Sequence, residues 1–250
     1  ANAPDSSGRV DIETGSSTSE SAGSIAITAG HSANSAGGDL VVRAGASGSG
    51  TGGEVALTSG SGATDLAGPM LLSTGQSQLR SGNVHIFSGS GKDSGDIELV
   101  TGTAVTSSGS IAVSTGASEA LSSGHLQLTS GAAESVSGDV VVAVGQAPTA
   151  GSLELRGGAS SFDEKGGNVA VISGVSSHSN AVSGDVSLST GSAAARSGNI
   201  QLMTGSAHDA SGDVIIGSGD SYAATPGNVV ISVGRSSSGM HGTIALGMAG

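Results

Sequence analysis

The chain contains no cysteine and no tryptophan, and only one tyrosine and two phenylalanines among its 250 residues. The lack of cysteine excludes disulfides and thiolate chemistry, and leaves the compartment open. The lack of aromatics removes the side chains that supply most of the large buried area in ordinary cores. Any core here must be aliphatic. Cations are also scarce: 8 Lys and Arg stand against 20 Asp and Glu, a formal charge of −12. Such a chain repels nucleic-acid phosphate and anionic membranes, so neither is expected as a partner. No apolar run approaches the roughly 20 residues of a membrane span, so no membrane insertion is expected. No signal-peptide pattern is visible.

What is abundant is serine, with 49 residues, and glycine, with 45. That composition by itself suits a flexible linker. The aliphatic residues argue otherwise, because they are regularly placed. A frame G-x-φ-x-φ-x-x-G, with φ aliphatic, recurs in 17 copies opening from Gly8 to Gly242, the last of which has Ala249 in place of the closing glycine. Its mean period is 14.6 residues, 234 residues over 16 steps, and single steps run from 13 to 17. All 34 φ positions are Val, Ile, Leu or Met. Two residues apart is one face of a β-strand and not one face of a helix.

One repeat offers two aliphatics, about 3–6 kcal/mol if both are fully buried. Ordering fifteen residues costs on the order of 15–30 kcal/mol of backbone entropy. No repeat stands alone, so neighbours are expected to stack and share a core. The sequence therefore predicts an all-β fold, a repetitive β-solenoid resembling a parallel β-helix, as a single domain over residues 1–250. One repeat per coil, two repeats per coil and an antiparallel meander all fit the loop lengths. The expected core ladder includes Val10, Ile12, Ile25, Ile27, Val140, Val142, Val186, Leu188, Ile200, Leu202, Val214 and Ile216. Between them points an outward column that is apolar at Val41, Leu71, Val141, Ile215 and Val230, a possible interaction stripe. No polar caps are evident, so the array is expected to be part of a longer one or to meet other copies at its ends.

Little in the sequence points to catalysis, and no catalytic, cofactor or metal residues are assigned. The six histidines, His31, His85, His125, His178, His208 and His241, are scattered without ligand spacing. The stretch "GSGTGG" (48–53) matches a dinucleotide fingerprint but is followed by an aliphatic strand pattern, not a helix. "GSGKDSG" (89–95) lacks the hydroxyl residue and glycine spacing of a phosphate loop. There is no G-x-S-x-G elbow. Asp39, Glu54, Asp96, Asp139, Asp185 and Asp213 follow opening glycines and would form an oxygen ladder if stacked, a candidate for calcium. Turn preference explains the same residues. The longest irregularity is the charged stretch "GGASSFDEKGG" (157–167), which carries Phe162.

The copies "SGDVSLSTG" (183–191) and "SGNIQLMTG" (197–205) resemble Ser/Gly-rich repeat arrays of secreted or cell-surface proteins of diatoms and related algae. The resemblance covers nearly the whole chain, and it implies an extracellular or cell-surface structural role and no catalytic residues. The expectation is a non-enzymatic, rigid surface-assembly protein that self-associates end to end or side by side, or forms filaments. The alternatives are an ice-binding protein and a calcium-assisted adhesin, with ice or a surface glycan as partner. Against ice binding, the outward column five residues after the opening glycine is not a threonine row.

Overall fold

A computed structural model of the chain describes residues 7–63, 66–161, 165–178 and 181–247. The described residues contain no helix and no β-strand. The expected β-solenoid is therefore not formed, and with it goes the expectation of a sheet-built, rod-like array. The reason lies in the balance already drawn. Two aliphatics per repeat, set among Gly and Ser, give little burial against a large ordering cost. Sharing between neighbours would have had to make up the difference, and it does so only in part.

The chain divides into two units, Ala1–Gly124 and His125–Gly250. The boundary falls at the opening glycine of the ninth repeat. The first unit holds the first eight copies and the second holds most of the remainder.

Within each unit the repeat is still the structural period. Sharp bends of the backbone fall in the loops between copies and in the tail, not within the G-x-φ-x-φ-x-x-G segments, which we call arms. The arms keep the two-residue periodicity of extended chain. Arg9 and Asp11 share one side of the first arm and pair at 2.6 Å. Arg156 and Glu154 do the same at 2.5 Å. Both pairs are exposed and add little stability, but residues two apart meet in this way only when the backbone is drawn out.

Consecutive arms are joined by a clasp. The opening glycine of each arm lies against the end of the arm before it. A Cβ at Gly23 would touch the Thr14 side chain at 3.5 Å, and one at Gly109 would touch Thr101 Cγ2 at 3.4 Å. At Gly151 the neighbour is Val144 Cγ1, at 3.3 Å. Of the opening glycines that follow another arm, only Gly138 has nothing within 4 Å. The clasping residue stands six positions after the opening glycine, where the sequence is small: Thr14, Ala29, Ala44, Ser59, Thr74.

A backbone bond closes the clasp only where that residue is small, though not at every such junction: Gly227 lies eight residues after Gly219, behind Ser218, and makes no such bond. Gly38, Gly53, Gly68, Gly167 and Gly184 donate their N–H groups to the carbonyls of Gly30, Gly45, Gly60, Gly158 and Gly174, at 2.8–3.0 Å. The clasping residues at these five junctions are Ala29, Ala44, Ser59, Gly157 and Ser173. No such bond is found among the described residues where Thr or Val stands there. A branched side chain between the two glycines holds their backbones apart. At Thr14 the hydroxyl takes over and donates to the Gly23 carbonyl at 3.0 Å. A loop of sufficient length is also needed, since the bonded glycines are at least eight residues apart.

A substitution at Gly167 tests the clasp. Its Cβ would fall 2.8 Å from the Gly158 nitrogen, closer than side chains approach backbone. Gly167→Ala is expected to open the junction and release a hydrogen bond with a net value of about 1 kcal/mol. Amide hydrogen exchange at residue 167 should speed up about five-fold. Gly8→Ala, with nothing within 4 Å, should change no exchange rate.

Candidate interaction surface

The aliphatic columns are the feature with functional content. None of their described members is buried, and no described residue of any kind is. The twelve residues expected to fill a core ladder, Val10, Ile12, Ile25, Ile27, Val140, Val142, Val186, Leu188, Ile200, Leu202, Val214 and Ile216, are all exposed. Among the described residues there is no core for them to fill. Val41, Leu71, Val141, Ile215 and Val230 are exposed too, and all but Val41 are more so than both column residues beside them. Each arm thus presents apolar side chains to solvent.

Neighbouring arms shield one another partially, and the ends of the array show how. The first φ residue of each arm is 49–61% exposed, except Val10 at 86%. Val10 is in the first arm described. The second φ residue is 62–76% exposed, except Leu246 at 91%. Leu246 is in the last copy, with no arm after it. Within each unit, the preceding repeat therefore covers the first aliphatic and the following repeat covers the second. Coupling of this kind passes only between nearest neighbours. The clasping position is the best-covered place on the arm: Val144 and Val233, at 47% and 44%, are the least exposed of the large apolar residues.

The loops repeat a second device. Two residues after the closing glycine, a serine hydroxyl accepts a backbone N–H from just ahead. Ser17 accepts from Glu20, Ser32 from Ser35, Ser47 from Gly50, Ser118 from Leu121 and Ser221 from Ala224, at 2.8–3.2 Å. Ser77 and Ser236 occupy the same place and accept from two residues ahead, at 3.2 Å. Such side-chain turns offer the backbone a local partner in place of a ladder. The "GSGTGG" stretch belongs to one of these loops. The Ser47 turn starts it and the Gly53–Gly45 bond closes it, with no helix to receive a pyrophosphate. "GSGKDSG" likewise bends sharply through residues 91–93.

Titratable groups do not converge. No cluster of three His, Asp or Glu able to hold a metal ion occurs among the described residues. The acidic residues at 39, 54, 96, 139, 185 and 213 do not form an oxygen cage. His208 Nδ1 and Asp209 Oδ1 meet at 2.7 Å on an almost fully exposed loop, with no third group to orient them. Tyr222 stands free of cover in its own loop. Phe162 lies outside the described residues. Among those described, no helix is long and apolar enough to cross a membrane.

Both devices escaped the sequence reading, although each left a signal. The clasp is visible as the run of Thr, Ala, Ser and Val six residues after the opening glycine. The loop turn is visible as Ser two residues after the closing one. The chain matches no protein-family model, and comparison with curated proteins and with solved structures finds no match.

Proposed function

We propose that the chain is a non-enzymatic structural protein whose copies assemble through their aliphatic columns. The observation that carries this reading is the exposure of those columns. A folded monomer of this mass has about 9,700 Å² of accessible surface and its extended chain about 34,000 Å². This chain exposes 25440 Å². Soluble monomers rarely leave contiguous apolar patches beyond a few hundred Å².

A second copy is the partner that the surface fits best. It brings the same φ-x-φ pairs at the same period of 14.6 residues. The area is sufficient. A full aliphatic side chain corresponds to about 60–120 Å² when its transfer energy is divided by 25 cal/mol per Å². Half of that over the 34 positions is about 1,000–2,000 Å², against about 800 Å² per partner in a standard interface. The assembly is a filament or layer at the cell surface or outside the cell, a placement supported by the likeness of the repeats to secreted algal arrays. No catalytic role is included, since no polar groups converge on a reacting position.

The other readings gain less support. Ice binding calls for a flat, outward row of threonine, whereas the Thr column here is engaged with the glycines of the next arm. A calcium-assisted adhesin calls for clustered carboxylates. The reading is tested by the mass of the chain in solution as its concentration rises. A mass that stays at 23.4 kDa would overturn it.

A further inference from the structure

The arms at Gly53–Gly60 and Gly68–Gly75 enclose an open groove of about 370 Å³. Leu57 forms one wall, and Met70, Leu71 and Leu72 form the other beside Pro69. The groove is where the second aliphatic of one arm meets the first aliphatic of the next. The junction between its two arms is closed by the bond from Gly68 N–H to the Gly60 carbonyl, 2.9 Å long. The two junctions before it, Gly38–Gly30 and Gly53–Gly45, are closed in the same way. The groove thus ends a run of three consecutive backbone-closed junctions. A surface held by its own backbone loses less freedom on binding than one that must first be ordered.

We infer that this groove is the primary docking site for a second copy of the chain and that it receives an aliphatic pair from one of that copy's arms. The inference rests on the self-association proposed above and assigns its site. No charged residue lines the groove, and Thr58 and Ser59 are the two polar residues among its seven, so its occupant is mainly apolar. Its size accommodates a few aliphatic side chains. The chain supplies such side chains in pairs two residues apart along a straight arm, the same spacing as Met70 and Leu72. The clasps differ elsewhere. Beyond the ninth arm, which carries Leu126 and Leu128, the next opening glycine, Gly138, has no neighbour within 4 Å. Leu126 and Leu128 are as exposed as Met70 and Leu72, but that side of their arm is not braced.

Sedimentation equilibrium on three full-length proteins tests the assignment. Met70→Ser with Leu72→Ser is expected to raise the dissociation constant for self-association at least ten-fold. Leu126→Ser with Leu128→Ser, which removes two aliphatics from the same two frame positions, is expected to raise it about three-fold. Equal losses would overturn the assignment and leave self-association standing. A wild-type chain that never associates would overturn both. A cross-linking measurement guards against misfolding of the serine variants. The chain has no cysteine, so Leu57→Cys places a single thiol in the groove. A short bis-maleimide is expected to join copies through that thiol at least five times more efficiently than through Leu128→Cys. Equal efficiency would again overturn the assignment.

Discussion

Serine at the twelve positions Val10, Ile12, Ile25, Ile27, Val140, Val142, Val186, Leu188, Ile200, Leu202, Val214 and Ile216 is expected to weaken self-association at least about 100-fold. These residues form six φ-x-φ pairs outside the groove of the fourth and fifth arms. Each side chain leaves half or more of its surface in water. Covering about 30–60 Å² of it on assembly is worth about 0.8–1.5 kcal/mol at 25 cal/mol per Å². Only a fraction of that sum appears as affinity, because association itself and the ordering of side chains are costly. A three-fold loss per pair, multiplied over six separated pairs, gives several hundred-fold. Sedimentation equilibrium reads the change. An unchanged dissociation constant would show that the aliphatic columns are not the contact surface.

Salt is expected to act in the opposite sense, strengthening association about ten-fold or more between 10 and 500 mM sodium chloride. The chain carries a formal charge of −12, and copies drawn together repel. At 10 mM salt the screening length is about 30 Å, which spans neighbouring molecules, and at 500 mM it is only about 4 Å. The repulsion is placed close to the contact. Asp39 precedes Leu40, Glu54 precedes Val55, Asp96 precedes Ile97, and Asp139, Asp185 and Asp213 precede Val140, Val186 and Val214. Changing these six to Asn or Gln leaves a charge of −6, because −12 loses six negative units. Asn already occupies the same slot at Asn83, Asn168, Asn199 and Asn228, so the change suits the arm. The neutralised variant should associate at 10 mM salt and respond weakly to more. Light scattering at both salt concentrations makes the comparison. Weaker association of the wild type at high salt would mean that ion pairs, not aliphatics, hold the copies.

The repeat was fully legible in the sequence, and its consequence only partly so. The positions of Ile200 and Leu202 between Gly198 and Gly205 fix a drawn-out arm with both aliphatics on one side. The ion pairs Arg9–Asp11 and Glu154–Arg156 agree with it. A period of two determines a face, however, and does not determine what lies against that face. A ladder of hydrogen bonds needs a partner backbone, and the pattern carries no information on where that partner comes from. Expecting it from the neighbouring repeat made a solenoid of the chain. Within the chain, nearest neighbours share only a clasp and a partial covering of one aliphatic each. The loops help to keep it so. Ser17, Ser32, Ser47, Ser118 and Ser221 give their backbone local partners, and a segment satisfied locally has less to gain from a ladder.

The interaction surface was legible by composition and not by location. The columns at Val140 and Val142 or Val214 and Ile216 announced themselves as apolar, but burial inside the chain and burial between chains leave the same letters. The difference came from exposure: Val10 and Leu246 are the least covered members of their columns, and every column residue between them remains about half exposed or more. The groove at Leu57 and Met70 could not have been read from the sequence. Its arms follow the same frame as all the others, and what sets it apart is a run of Ala29, Ala44 and Ser59 at the clasping position, whose meaning depends on the backbone bonds they permit.

The central claim is that the aliphatic columns are covered by other copies of the chain. Its most direct test is sedimentation equilibrium of the full chain at 150 mM sodium chloride, from micromolar to several hundred micromolar protein. The predicted result is an average mass that rises well above 23.4 kDa as concentration increases. A mass that holds at 23.4 kDa across that range would contradict the account.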